Sequence, residues 1–365
     1  VFLFLTSSKN GKVMMQLSYG FILMMVLLSM YSTYSSLPTC RTIVMTDQDP
    51  LALALRQSFG FFTDIPDAQW EMAQKLHAKT FPNHFHPKVL SLEEMKSKFH
   101  EGHRWYSENF QEEFHCALAQ RIPATSAANG PKWVCDPHRI AKQEQCLVYS
   151  FGCFGNVAFE RGVKDEIGHH CEIHTFDIVT FNEQNGDFQK SLENIGVHFH
   201  HWGLGTKMQA AAYARTRQGP PLYTLAQTMA MLNHTGREID IFKIDCEHCE
   251  WETYPQFLDG VFLRQILVEV CTLSQLQLLY TTASKHFWPN PLVACRFVLC
   301  AIQTHLAPMP QAKNFFYALH DAGYVIFSKE ANYVWQARGA EFAFLKLHPD
   351  FFINNTRYSS LERIV

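Results

Sequence analysis

The sequence predicts an α/β protein with a mostly parallel β-sheet that ends in an antiparallel hairpin, and three observations support this. Between residues 146 and 270 short apolar runs alternate with helical stretches, as in strands joined by crossover helices. These runs are apolar at consecutive positions, which is typical of strands buried on both faces. After Gly323 two runs follow one another with no room for a helix, so the last two strands should pair antiparallel.

The order of the elements fixes where a ligand should bind. Strands are predicted at 147–151, 172–176, 197–201, 239–244 and 265–270, with the hairpin at 324–328 and 341–347. Helices are predicted from Gly152 through Glu160, at 222–232 and at 314–322. In an open α/β sheet the ligand lies outside the carboxyl ends of the strands, so the residues after each strand are the candidate site.

The size and composition of the chain favour a packed globular protein. At 365 residues it can hold one large domain and a smaller N-terminal region, and a hydrophobic content of 47% can fill the core. The net charge of -3 supplies no basic field for phosphates. We therefore expect a small-molecule or glycan partner and no nucleic acid.

Residues 1–40 predict a signal peptide or a signal-anchor transmembrane segment. Lys9 and Lys12 precede a run without charges that extends from Val13 to Cys40. Such a segment leads to the secretory pathway, either as a single-pass membrane protein with a lumenal catalytic domain or as a secreted protein. Acceptor sequons at Asn233 and Asn354 fit this route.

Residues 41–139 are interpreted as a stem and a helical N-terminal region, residues 140–350 as the main domain and residues 351–365 as a tail. Helical spacing carries apolar residues through Phe110 and Phe114, which should pack on the domain, and residues 123–137 look like a loop. If this part of the protein is lumenal, Cys135 and Cys146 are candidates for a disulfide.

A glycine-containing turn and an acidic residue follow the first two strands. The turn, Gly152-Cys153-Phe154-Gly155-Asn156, opens a helix and lets a ligand approach the backbone. Asp177 ends the second strand, where a carboxylate can accept hydrogen bonds from both hydroxyls of a ribose, although an aspartate there is also a common helix N-cap. Together they favour an adenosine-containing ligand.

The segment from Ile239 to Trp251 is the most informative one. It resembles the FkbM-type methyltransferases and, more closely, the lumenal or secreted methyltransferase-like proteins of animals, which carry a lysine-isoleucine-aspartate run followed by Glu-Gly-x-Glu. The resemblance continues in five further segments. These are residues 149–152, 173–177, 202–205, 267–270 and 342–346.

The resemblance implies a seven-stranded, Rossmann-like class I methyltransferase sheet that binds S-adenosylmethionine. The cofactor-binding residues that it implies, from the methionine end through the ribose to the adenine, are Phe151, Gly152, Gly155, Asn156, Asp177, Gly203, Leu204 and Asp245. The catalytic candidates are Asp245, Glu247 and Glu250, of which Asp245 or Glu247 would take the proton of a hydroxyl acceptor. O-methylation of a glycan or another secretory-pathway acceptor is the expected reaction.

Several features depart from the family pattern and leave alternatives open. His248 stands where the family has glycine, Cys271 stands where relatives tend to have histidine, and residues 275–309 match nothing in it. One alternative is a non-catalytic lumenal binding domain that retains the fold. Another is an NAD-dependent oxidoreductase, which the missing G-x-G-x-x-G disfavours.

No metal site is expected from the sequence. The pair Cys246 and Cys249 has no second pair nearby to complete a zinc site. His198 and His200 should share one face of the third strand, but no carboxylate or cysteine is expected at ligand spacing from them. Packed or surface histidines are the prediction.

Overall fold

The computed structural model describes residues 59–84, 110–125, 130–178, 186–246, 249–271, 308–332 and 339–353. The strands are β1 (Gln120–Ile122), β2 (Lys132–Val134), β3 (Cys146–Phe151), β4 (Cys171–Phe176), β5 (Val197–His200), β6 (Gly203–Leu204), β7 (Leu222–Tyr223), β8 (Ile239–Ile244), β9 (Leu263–Cys271), β10 (Tyr324–Asn332) and β11 (Gly339–Lys346). The helices are α1 (Asp67–His84), α2 (Pro137–Ile140), α3 (Ala158–Gly162) with a π-helical continuation (Val163–Ile167), α4 (Gly186–Asn194), α5 (Lys207–Thr216), α6 (Leu225–Met231), α7 (Cys249–Thr253) and α8 (Pro308–Asp321).

Seven strands form one mixed sheet in the order β10-β11-β9-β8-β3-β4-β5, which confirms the predicted fold class. The neighbours from β9 to β5 pair in parallel, and every residue of β3 and β8 is buried, as a sheet covered on both faces requires. From β3 the chain moves outward to β4 and β5, whereas from β8 it moves outward to β9. Strand order therefore reverses between β3 and β8, and a ligand crevice is expected there.

The antiparallel end of the sheet is also confirmed. β10 lies at the edge, and β11 returns between β9 and β10, antiparallel to both. Glu341 of β11 is thereby the Cα partner of Glu269 of β9. Two acidic residues consequently lie side by side near the carboxyl end of the parallel sheet.

Residues 110–119, directly before β1, pack on the sheet, although their structure differs from the prediction. Phe110 and Phe114 are buried as expected, but they do not lie in a helix. The backbone N–H groups of Glu113 and Phe114 instead donate to the carbonyl of Ile326 in β10, at 2.7 and 3.2 Å. The loop predicted at 123–137 is also partly wrong, because β2 lies within it and pairs with β1.

The disulfide suggested between Cys135 and Cys146 is wrong. Cys146 and Cys171 are Cα partners at the starts of the neighbouring strands β3 and β4, and they form one disulfide. Cys135, just after β2, bonds with Cys116 across a Cα–Cα distance of 5.5 Å. A third disulfide joins Cys246 and Cys249.

No helix among the described residues is both long and apolar enough to cross a membrane. The segment at 1–40 for which an anchor or signal peptide was predicted lies outside the described residues, as does the sequon at Asn354.

Candidate functional site

Three loops meet at the carboxyl ends of β3, β4 and β8, where strand order reverses. The N–H of Gly152 donates to the carbonyl of Phe176 at 2.8 Å, and the N–H of Asp245 donates to the carbonyl of Phe151 at 2.9 Å. The N–H of Asp177 donates to the carbonyl of His200 at 3.1 Å. The structure thus brings Gly152, Asp177 and Asp245 together, as expected from their positions after the strands.

Gly152 is required by a close approach between two of these loops. Its φ of +79° lies in the left-handed region, and a Cβ built on it would lie 1.8 Å from the carbonyl oxygen of Asp245. No side chain fits at such a distance. The turn after β3 and the loop after β8 can therefore contact each other only if residue 152 is a glycine.

Asp177 shapes the turn that follows β3. Its Oδ2 accepts hydrogen bonds from the backbone N–H groups of Cys153 and Phe154, at 2.9 and 2.7 Å. Phe154 and Gly155 both have positive φ, so this turn bends sharply and presents its N–H groups to the carboxylate. One Asp177 oxygen therefore fixes the turn. The ribose role expected for this residue stays a prediction.

The remaining residues assigned to the cofactor lie around this turn in different ways. The Phe151 ring is buried and stacks on Phe176 at a centroid distance of 4.3 Å, so only the backbone of Phe151 borders the site. Asn156 Oδ1 accepts from the N–H of Ala158 at 3.1 Å, which holds the start of α3.

Gly203 and Leu204 form β6, and Gly203 lies next to the residue that follows Asp177. A Cβ on Gly203 would lie 2.6 Å from Cγ2 of Ile178, the residue after Asp177. Leu204 is buried in the core, on the same side of the sheet as Phe176. These two residues therefore border the same edge of the sheet as the turn after β3.

A buried cluster of five charged side chains lies at the end of β8, and Lys132 of β2 is at its centre. Lys132 Nζ lies 2.6 Å from Glu341 Oε1, 3.3 Å from Asp245 Oδ2 and 3.7 Å from Glu269 Oε2. Lys243 Nζ donates to the carbonyl of Gly152 at 2.6 Å and lies 3.8 Å from Asp245 Oδ2. The cluster is thus joined directly to the glycine turn.

Within the cluster the pKa values of Asp245 and Glu341 are shifted in opposite directions. Burial works to raise the pKa of Asp245, but the Lys132 and Lys243 ammonium groups outweigh it and hold that pKa below its ordinary value. Burial raises the pKa of Glu341 in spite of Lys132, with the Asp245 charge adding to the rise. Asp245 is therefore an ionised carboxylate, whereas Glu341 is the stronger base.

The other two catalytic candidates differ in what the structure shows of them. Glu250, in α7, is buried, and its Oε2 lies 3.5 Å from the disulfide sulfur of Cys246. Glu247 and His248 lie outside the described residues. The place of Glu247 relative to the cluster stays a prediction.

Sequence reasoning missed Lys132, Glu269 and Glu341 as site residues. Each is a charged residue within a short apolar strand, and charged side chains are rarely buried unless they are paired. That signal was present in the sequence. The contacts among these three residues could not be predicted, because Lys132 reaches the cluster from a hairpin more than a hundred residues away along the chain.

Three features define the class I methyltransferase architecture. They are the strand order, the glycine turn at the point where that order reverses, and the acidic residue after β4. A protein family described as a methyltransferase domain matches residues 52–346, and the chain belongs to this family. S-Adenosylmethionine, the predicted cofactor, is the methyl donor of this class of protein. No curated protein matches the chain in sequence.

Several solved structures are similar to this chain at low sequence identity. The fibrillarin pre-rRNA processing protein of Methanococcus jannaschii is 8% identical, with 56% of this chain and 68% of that chain covered at a TM-score of 0.31. Aeropyrum pernix fibrillarin, solved with natively bound S-adenosyl-L-methionine, is 12% identical, with coverages of 62% and 88% at 0.31. The precorrin-6y C5,15-methyltransferase of Geobacter metallireducens is 10% identical, with coverages of 57% and 85% at 0.27.

Proposed function

We propose that this protein is an S-adenosylmethionine-dependent O-methyltransferase whose acceptor is a hydroxyl group of a glycan or of another secretory-pathway molecule. The observation that carries this proposal is the junction of the glycine turn with the charged cluster. A cofactor cradle and a carboxyl group with a raised pKa lie together at the switch point of the sheet. Cofactor binding and proton removal are the two tasks that a hydroxyl methyltransferase needs there.

The residues at this edge suit the proposed cofactor. Asp177 offers a carboxylate for the ribose hydroxyls, and the turn that contains Gly152, Gly155 and Asn156 lies directly beside it. Asp245, an ionised carboxylate, suits the cationic groups of the methionine end. When bound, S-adenosylmethionine supplies an electrophilic methyl group, and methyl transfer then depends on positioning and on proton removal.

Glu341 is proposed as the general base, in place of the Asp245 or Glu247 expected from the sequence. Its Oε1 receives the Lys132 ammonium group, and its buried Oε2 has no hydrogen-bond partner among the described residues. That oxygen is the atom to which a hydroxyl acceptor would donate its proton. Lys132, which also contacts Asp245, would keep its charge throughout and hold Glu341 in position.

The first experiment measures cofactor binding by calorimetry. The parent should bind S-adenosylmethionine and not NAD, and Asp177→Ala should weaken binding about tenfold or more, because hydrogen bonds to a charged group contribute about 1.5–3 kcal/mol. Glu193→Ala, an exposed carboxylate on α4, is the matched control and should bind as the parent does. NAD binding by the parent would favour the oxidoreductase alternative.

The second experiment follows labelled methyl groups from the cofactor into glycan, lipid, protein and RNA fractions of cell-surface extracts. Label in the glycan fraction is expected, and Glu341→Gln should reduce it by about 10²–10⁴-fold while cofactor binding remains. Label confined to RNA would contradict the acceptor class that we propose. Cofactor binding without transfer to any fraction would favour a non-catalytic binding domain.

The secretory location is part of the same proposal. Three disulfides fit an oxidising compartment, and Asn233 of the described sequon is exposed in a turn with a positive φ. The resemblance to lumenal and secreted animal proteins points the same way. Expression in animal cells should give a glycosidase-sensitive gel shift that Asn233→Gln reduces, and a cytosolic protein without glycan would oppose this location.

A further inference from the structure

A second polar cluster lies on one face of β4 and β5, away from the candidate site. Glu172 is near the start of β4 and Asp177 follows its end, so the backbones of these two residues are about 16 Å apart along the strand. No carboxylate or cysteine was expected at ligand spacing from His198 and His200, and the carboxylate of this cluster, Glu172, contacts His174 and His234 instead. The side chains of Glu172 and His174, two residues apart in β4, lie on the same face of the sheet as those of His198 and His200 in β5.

Three side-chain atoms of this cluster converge on one point. Glu172 Oε1 lies 3.0 Å from His174 Nε2 and 3.0 Å from His234 Nε2. The ligand atoms of these three residues all lie within 4.8 Å of one another. Two imidazole nitrogens and one carboxylate oxygen are thus directed toward a shared centre.

The second polar atom of each of these three side chains has a partner of its own. Arg237 donates to Glu172 Oε2 at 2.7 Å. Tyr149 Oη lies 2.7 Å from His234 Nδ1, and His200 Nε2 lies 2.8 Å from His174 Nδ1. Outer partners that orient each ligand in this way are a regular feature of metal sites, where they fix ring orientation and tautomer.

We propose that Glu172, His174 and His234 bind a divalent transition-metal ion such as zinc. Two imidazoles and one carboxylate are the ligand set of several zinc sites that keep a fourth position for water. Ligand atoms on a tetrahedral zinc ion are about 3.4 Å apart, so the present 3.0 Å spacing needs to widen by only a few tenths of an ångström.

The environment of the three ligands supports this site. His174 and His234 are buried, with 7% and 5% of their side chains exposed, whereas Glu172 is 35% exposed and gives an ion a path to the centre.

Binding would conserve protons within the cluster. Without an ion, the Nε2–H of each imidazole can donate to Glu172 while its Nδ1 accepts from Tyr149 or His200. With the ion on Nε2, the ring proton of each ligand moves to Nδ1. His234 Nδ1–H then donates to the Tyr149 oxygen, and His174 Nδ1–H donates to His200 Nε2. The exposed His198 stacks on His174 at a centroid distance of 4.9 Å, next to the proposed site.

The test titrates Zn²⁺ into the tag-free, chelator-stripped full chain under conditions that keep the disulfides intact. We expect one equivalent to bind with micromolar or tighter affinity. Glu172→Gln should weaken binding at least tenfold, and Tyr149→Phe, which removes only an outer oxygen, should weaken it about 10–100-fold. Glu193→Gln, an exposed carboxylate of α4, is the control and should bind zinc as the parent does.

Circular dichroism of each variant separates loss of the fold from loss of the site. Should Glu172→Gln fail to fold, Tyr149→Phe still tests the proposal, because the phenol ring remains in the core. A parent chain that takes up no equivalent of zinc, or variants that bind it like the parent, would overturn the metal site. Cofactor binding is measured separately, so failure here leaves the methyltransferase proposal standing.

Discussion

At the scale of single residues, Gly152 is the most constrained position of the candidate site. Gly152→Ala should abolish cofactor binding, because the added Cβ would displace the Asp245 loop from the turn. Calorimetry with S-adenosylmethionine and the thermal unfolding midpoint measure the two effects. Gly260→Ala is the matched control, since Gly260 also has a positive φ, of +73°, but a Cβ added to it would meet no atom within 4 Å.

Gly260→Ala should therefore cost about 1 kcal/mol of stability from its backbone conformation alone and leave cofactor affinity unchanged. Equal effects of the two substitutions on affinity would mean that the contact between Gly152 and Asp245 is unimportant for the site.

A buried histidine gives a residue-scale prediction about pH. Burial, together with nearby His320, lowers the pKa of His77 to about 4 from its ordinary value of 6.5. Because the unfolded chain binds the proton first, the free energy of unfolding should fall as pH decreases from 6.5 to 4, by up to ~3 kcal/mol from this group. Urea denaturation at several pH values measures it.

His77→Gln removes this contribution, whereas His174 and His200 titrate in both proteins and cancel in the comparison. The stability difference between parent and variant should consequently shift against the parent as pH falls through this window. A difference that stays constant from pH 7 to pH 4 would contradict the assignment.

At the scale of elements, the β1–β2 hairpin is held to the sheet through the charged cluster. Lys132→Met should lower the free energy of unfolding by about 3–5 kcal/mol at pH 7, because it leaves Asp245, Glu269 and Glu341 buried without their main counter-ion. The loss should shrink at acidic pH, where a protonated carboxyl group needs no cation. Denaturant titrations at pH 7 and pH 5 measure both effects.

Lys207→Met is the control for this prediction. Lys207 is 84% exposed and lies 3.8 Å from an exposed Asp259, so its loss should change stability by no more than about 0.5 kcal/mol. A Lys132→Met protein as stable as this control would show that the cluster does not hold the hairpin.

The elements also show how far the sequence could predict the structure. The strand at 239–244 was predicted with its observed bounds, and the other strands of the main sheet within a few residues, because buried runs between glycine or aspartate stops are a local signal. The hairpin containing Lys132 was missed, since its three-residue strands are too short to show a period. The helix expected through Phe110 and Phe114 failed because their backbone pairs with a distant strand.

Some residues of the two polar clusters could likewise be predicted from the sequence, and others could not. Residues that directly follow strands, such as Gly152, Asp177 and Asp245, could be predicted to meet, because parallel strands end at one edge of the sheet. Glu341 and Glu172 could not be assigned from spacing alone. The first depends on how β11 inserts between β9 and β10, and the second depends on His234 arriving from the loop after α6.

At the scale of the whole molecule, described residues between 59 and 139 belong to the core that covers one face of the sheet. The buried side chains on that face that precede residue 140 are Phe61, Phe62, Trp70, Phe114, Cys116, Ile122, Val134 and Cys135. They pack in one cluster with strand residues such as Val148 and Ile241. Each large apolar side chain contributes about 1.5–3 kcal/mol by burial, so the six that are not cysteines contribute about 9–18 kcal/mol, comparable to the 5–15 kcal/mol by which a domain is usually stable.

The boundary predicted at residue 140 therefore leads to a direct test with two truncated chains. A chain of residues 54–365 should unfold cooperatively and bind S-adenosylmethionine like the parent, whereas a chain of residues 140–365 should aggregate or fail to bind it. The shorter chain loses the apolar cover of one sheet face, the Cys116–Cys135 disulfide and Lys132 together. Size-exclusion chromatography, thermal unfolding and calorimetry measure the outcome, and a soluble 140–365 chain with parental cofactor affinity would place the folding unit at residue 140 after all.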